Sequence, residues 1–157
     1  MRSSSIEIRQ ARPGDAPRLH ELHTAAVRTL CAKHYSTEIL DGWLLDRRPD
    51  GYLLPIERGA IFVAQRDSEV VGFCEAAPGV VVAVYVHPSV TRQGIGATLL
   101  DHALAVARGS HRGSVRVEST LNASAFYERY GFREVKRATI KRNHVEVPIV
   151  VMEHNAV

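Results

Sequence analysis

The sequence predicts an α/β (α+β) fold of about seven strands and about four helices, in the order βα(α)βββαβαββ. Apolar residues switch repeatedly between a period of two and a period near 3.6. Three β-rich runs between residues 60 and 86 are joined by links of only a few residues, as in antiparallel hairpins. Proline and glycine fall together where the period changes, at Pro13-Gly14, Pro49-Asp50-Gly51 and Pro78-Gly79.

The 157 residues suit one domain, residues 1–157. Hydrophobic residues at 45% and charged residues at 24% argue against both a disordered chain and a membrane protein. Met1-Arg2-Ser3-Ser4-Ser5 leads into alternating Ile6-Glu7-Ile8-Arg9, without the apolar core of a signal peptide, and no later run approaches a bilayer span. The expected location is the cytoplasm. Cys31 and Cys74 form no C-x-x-C pair and are expected as reduced thiols, Cys74 as a small buried hydrophobe. The net charge of +3 comes without a dense Lys/Arg cluster interleaved with aromatics, so no nucleic-acid partner is expected. Lys136-Arg137 and Lys141-Arg142 read instead as a solvated hairpin.

Residues 6–9 alternate as a half-buried strand, and Arg12-Pro13-Gly14-Asp15 ends it, with Asp15 as N-cap of the first helix. From Leu19, the residues Leu22, Ala26, Val27 and Leu30 form one apolar helical stripe. Ser36 caps a second, short helix through Ile39, Leu40, Trp43 and Leu44. Gly51 and Pro55 leave residues 50–58 open between a helical turn and an irregular loop. Strands follow at 60–65, 70–76 and 80–86; the third is continuously apolar and is expected to be covered on both faces. A helix over 96–108 buries Leu99, Leu100, Ala103, Leu104 and Ala107, with Gly109 suited to its C-cap. A strand at 114–118 precedes a helix capped by Asn122, carrying Phe126 and Tyr130 and ending at Gly131, and two strands at 132–140 and 145–153 complete the order.

The turn Gln93-Gly94-Ile95-Gly96-Ala97 opens the long helix. A helix N-terminus presents unpaired N–H groups and the positive end of the macrodipole. Gly94 and Gly96 allow a phosphate close to the backbone, Ile95 can anchor the turn in the core, and a diphosphate suits such a turn better than a small anion. A Walker loop is excluded because Ala97-Thr98 stands where Lys-Ser/Thr is needed, and a dinucleotide fingerprint because Leu99 replaces its third small residue. On the glycines alone, an anion site and a ligand-free turn are equal readings.

The motif V-x-P followed by [Q/R]-x-x-G-x-[G/A] decides between them. It stands here as Val86-His87-Pro88 and Thr91-Arg92-Gln93-Gly94-Ile95-Gly96, and it resembles the signature of the GNAT superfamily of acyl-CoA-dependent N-acetyltransferases. Thr91 departs from the pattern, with Arg92 supplying a charge one position on. Asn122-Ala123-Ser124-Ala125-Phe126-Tyr127-Glu128-Arg129-Tyr130-Gly131-Phe132 resembles a second stretch of that family, and the segment from Cys31 through Trp43 is similar to one bacterial branch of it. The resemblance implies a GNAT-like, mixed and mostly antiparallel sheet with a splay between its fourth and fifth strands.

It further implies acetyl-CoA as cosubstrate and coenzyme A as product, bound by the backbone of Val84, Tyr85 and Val86, by the turn Thr91, Arg92, Gln93, Gly94, Ile95, Gly96, Ala97 and Thr98, and by Asn122. Acetyl would pass to a small or peptidic primary amine by direct attack in a ternary complex. Tyr127 is the implied general acid, placed beside the coenzyme sulfur. Residues 80–86 hold no carboxylate, so the base is expected to be Glu118, with Glu75, His34 or water as alternatives. His34, Tyr35 and Trp43 are acceptor-pocket candidates. The alternative function on the same fold is a non-catalytic acyl-CoA sensor. No metal is expected at His20-x-x-His23 or Cys31-x-x-His34, since no carboxylate completes a binding motif. No membrane partner is expected, and the resemblance leaves room for a homodimer.

Overall fold

The computed structural model describes residues 5–155; Met1 to Ser4, part of the stretch read for a signal peptide, lie outside the described residues. Seven strands form one sheet: β1 (Glu7–Gln10), β2 (Ile61–Arg66), β3 (Glu69–Ala77), β4 (Val80–Val86), β5 (Val115–Thr120), β6 (Phe132–Arg142) and β7 (Val145–His154). Their spatial order is β1-β2-β3-β4-β5-β7-β6, antiparallel throughout except for the parallel pair β4 and β5. This is the mixed, mostly antiparallel sheet the sequence implied.

Helices α1 (Ala16–Leu30), α2 (Thr37–Leu44), α3 (Leu53–Glu57), α4 (Ile95–Arg108) and α5 (Ser124–Arg129) flank it. Side chains alternate across the sheet, so neighbours join different cores. Phe73 packs with Leu19 and Leu22 of α1, whereas Cys74 packs with Leu99, Leu100 and Ala103 of α4. A third cluster joins α2 to β7 through Leu40, Trp43, Val147 and Ile149. No helix among the described residues is long and apolar enough to cross a membrane.

Several local expectations are resolved or corrected. Asp15 does not cap α1 with its side chain. Its carboxylate accepts the Arg12 N–H at 2.7 Å, at the head of a 3-10 turn over Pro13–Asp15, and pairs with Arg9 at 2.9 Å. Residues 50–58 are helical: Pro49–Tyr52 form a 3-10 turn and α3 follows. Pro55 is tolerated because it lies in the first turn of α3, where an N–H has no helical acceptor. Gly109 stands at the C-cap of α4 but keeps right-handed backbone, φ −55°. Strand β4 is not covered on both faces: Val81 is fully buried, yet Val82 is 46% exposed, because β4 borders open cavities.

Candidate active site

Strand β4 carries a bulge. Glu75 of β3 faces Ala83 and Ala76 faces Val81, leaving Val82 as the extra residue. The parallel pairing of β4 with β5 is confined to Val80↔Arg116 and Val81↔Val117. A bulge bends its strand and ends regular pairing, so the strands part from Val82 onward and backbone groups of β4 are released from the ladder.

Two cavities meet at this break, of about 460 Å³ and about 490 Å³. Val82, Ala83, Tyr85, Glu118 and Thr120 line both.

The first cavity runs from the break to the start of α4. Val84 and Val86 wall it with Tyr85, and Thr91, Arg92, Gly94, Ile95, Gly96 and Ala97 form its far end. The turn is shaped by left-handed backbone at Arg92 (φ 64°) and Gly94 (φ 81°), and Ile95 is buried to 1% exposure as its anchor. Thr98 N–H closes the first α-helical bond on Gly94 O at 3.1 Å, so the N–H groups of Ile95, Gly96 and Ala97 precede the helical ladder. Two residues of the sequence motif stand outside the lining. Gln93 Oε1 accepts from Arg66 at 2.8 Å, and the Thr98 hydroxyl donates back to Gly94 O at 3.1 Å.

Tyr127 and Asn122 line the same cavity. Tyr127 is 4% exposed and packs edge-on against Phe126 and Phe132; burial pushes its phenol above the ordinary tyrosine range, which keeps the proton on oxygen. Asn122 is not the cap expected of it, since α5 begins from Ala123, whose carbonyl takes the Tyr127 N–H. Asn122 Oδ1 instead accepts from Cys31 Sγ at 3.2 Å, across 91 residues of sequence. Burial pushes that thiol up to about 11.

The second cavity opens on the α1 and α2 side, walled by Trp43, Tyr52, Phe73, Tyr85 and Ile149. Its charged groups are Arg47, Arg116, Arg142, Glu75 and Glu118. Glu118 is half-exposed, 3.9 Å from Arg116. Burial raises the Glu75 carboxyl above its ordinary range, against the opposing pull of Arg47. His23 is 5% exposed, and its Nδ1 lies 2.8 Å from the Tyr52 hydroxyl and 2.9 Å from Arg47 Nη1. An arginine only donates, so Nδ1 accepts and the ring is the neutral Nε2–H tautomer. Burial, with Arg47 and His20 beside it, holds His23 well below the usual histidine range.

Of the acceptor candidates, Trp43 lines this cavity. His34 is exposed and lines neither. Tyr35 is buried, its hydroxyl donating to Pro148 O at 2.6 Å and accepting from Leu121 N–H at 2.9 Å; it meets Trp43 edge-on and reaches neither cavity itself. Arg47 and Tyr52 had no distinguishing signal in the sequence, and His23 was marked only by its spacing from His20, because the meeting of the three depends on how the segment after α2 folds back onto α1.

The family of acetyltransferase (GNAT) domains matches residues 57–134, which span the bulge, the α4 turn and α5. The chain belongs to the GNAT superfamily of acyl-CoA-dependent N-acetyltransferases. The uncharacterized N-acetyltransferase YafP of Escherichia coli (strain K12) is 26% identical over 139 residues, 88% of each chain. A GCN5-related N-acetyltransferase from Rhodopseudomonas palustris shares the fold with a TM-score of 0.81 at 24% identity, over 99% of this chain and 98% of that one. The PaiA N-acetyltransferase of Thermoplasma acidophilum, solved with coenzyme A, has a TM-score of 0.78 at 24% identity, over 96% and 99% of the two chains.

Proposed function

We propose that this GNAT protein transfers acetyl from acetyl-CoA to a primary amine by direct attack, with both substrates bound together. The observation that carries this reading is the meeting of two separate cavities at the break between β4 and β5. One can hold the thioester while the other delivers the amine. Coenzyme A in the Thermoplasma relative supports the assignment of the coenzyme to this fold. In this chain the coenzyme's pyrophosphate lies at the α4 turn, on the N–H groups of residues 94–97. Its pantetheine runs along the released backbone of Val84, Tyr85 and Val86, whose groups also polarise the thioester carbonyl.

The amine nitrogen forms a C–N bond to the acetyl carbon and the C–S bond breaks. The proton lost by nitrogen passes to Glu118, directly or through one water, because Glu118 stands where the cavities meet. The leaving thiolate takes the Tyr127 proton. Free buried thiols at Cys31 and Cys74 suit a reducing compartment, and we place the reaction in the cytoplasm.

Initial-rate kinetics of thiol release, with acetyl-CoA and an accepted amine both varied, test the ternary complex. Intersecting double-reciprocal lines are expected. Parallel lines with an isolable acetyl-enzyme would overturn direct attack.

A further inference from the structure

We propose, on the basis of the acetyl transfer above, that the second cavity takes an amine bearing a carboxylate at its far end, an amino acid or short peptide acid, with Arg47 as the partner of that anion. The partners of the Arg47 guanidinium are neutral: it donates to His23 Nδ1 at 2.9 Å and reaches the Tyr52 hydroxyl at 3.4 Å. Among the described residues no carboxylate forms an ion pair with it. A half-buried guanidinium held on a neutral imidazole and a phenol is partly stripped of water, and Glu75, which feels its charge, forms no ion pair with it; a ligand carboxylate supplies that partner bidentately.

The cavity is also polar from end to end in a way that orients such a ligand. Glu75 is in register with Ala83, which lines both cavities, and Glu118 stands at the junction itself. Two carboxylates thus mark the junction, where an ammonium group must arrive and lose its proton. Arg47, His23 and Tyr52 line the second cavity and not the first, with His23 packed against Tyr85 at 4.2 Å between ring centroids. The amine end therefore points to the junction and the anionic end to Arg47. Between them Trp43, Phe73 and Ile149 present an apolar wall, which suits a hydrophobic side chain better than a polyamine or an aminosugar. Arg142 adds positive charge to the same cavity, which further disfavours a polycation, while Arg116 stands 3.9 Å from Glu118. A volume of about 490 Å³ lies within the ordinary range for small-molecule sites.

The test compares matched acceptors in the thiol-release assay: phenylalanine, leucine, glycyl-phenylalanine and glycyl-leucine, each beside its carboxamide, with kcat/KM counted on the free-amine fraction. The wild type should favour the acids by about tenfold or more, the effect of one charge-assisted pair. Arg47→Gln should bring the acid-to-amide ratio close to one, and Arg47→Lys should recover part of it. Because the ratio is internal to each protein, partial loss of folded enzyme cancels. Turnover of acids and amides at equal rates in the wild type, or a preference that Arg47→Gln leaves intact, overturns the proposal while acetyl transfer stands. Failure of every amine, in protein shown by calorimetry to bind coenzyme A, overturns amine acetylation and this acceptor assignment with it.

Discussion

Gly96 in α4 stands against the ring of Phe126 in α5: a Cβ at position 96 would lie 3.4 Å from Phe126 Cε1 and 3.7 Å from Val86 Cγ2. Those are ordinary contact distances, so the first turn of α4 is brought against the far wall of the cavity with little more than a methyl group to spare. Gly96→Ala should fold and bind coenzyme A within about tenfold of the wild type. Gly96→Glu adds a carboxylate to an anion site and should weaken binding by on the order of a hundredfold or more. At Gly94 the space is open, but φ is 81°, so Gly94→Ala should cost about 1–2 kcal/mol through backbone alone. Calorimetry with coenzyme A and thermal melts separate the two effects; unchanged affinity in folded Gly96→Glu would move the pyrophosphate elsewhere.

Tyr127→Phe should lower kcat by on the order of a hundredfold with coenzyme affinity unchanged, because a hydroxyl that meets the thiolate mainly in the transition state contributes to rate rather than to ground-state binding. Burial keeps that phenol protonated across the working pH range, so the donor form is present throughout, as a weaker acid than a solvated tyrosine. The measurement is kcat under conditions where chemistry limits turnover, beside a separately determined Kd. Full kcat retained would make Tyr127 a packed aromatic only.

The two acceptor-side carboxylates should respond differently. Glu118→Gln should lower kcat/KM for the amine at neutral pH, with the deficit shrinking as pH rises and the free-amine fraction grows; a deficit independent of pH would argue against a base. Glu75 carries a stability signature instead. Its folded pKa is raised, so the protonated form is the one folding prefers. Below the ordinary glutamate value of about 4.3, both folded and unfolded chains are protonated and no cost exists. As pH climbs through the raised value the charged carboxylate destabilises the fold. Glu75→Gln should therefore raise Tm at neutral pH and leave it unchanged near pH 3, as differential scanning calorimetry can show.

Legibility followed the range of the interaction. Strand β4 was readable over residues 80–86 because its composition is local, and Gly94 and Ile95 were readable because left-handed backbone at one and a buried anchor at the next restrict residue type. The bulge was not, since in Val80-Val81-Val82-Ala83 nothing distinguishes the extra residue; its place follows from pairing with β3. Asn122 had the spacing of a cap, and the contact that claims its side chain comes from Cys31, far away in the chain. Arg47 lies between α2 and the stretch where Gly51 and Pro55 obscured the helical turns, so this cation of the second cavity carried no local mark.

Tyr35 decides between a pocket and a pin. Its hydroxyl joins Pro148 O in β7 to Leu121 N–H just after β5, and its ring meets Trp43 edge-on at 5.5 Å between centroids. The Tyr35→Phe change keeps the ring but leaves a backbone donor and a backbone acceptor without their partner. Each such group costs about 1–3 kcal/mol if no water reaches it. Burial pushes the phenol up to about 12, so it stays a protonated donor at every working pH and the loss should be the same at pH 6 and pH 9. Urea unfolding should show a midpoint lowered at an unchanged m-value. The KM for an accepted amine should move less than twofold, because Trp43, and not Tyr35, faces the cavity. A large rise in KM with undiminished stability would reverse the assignment and make Tyr35 a substrate contact.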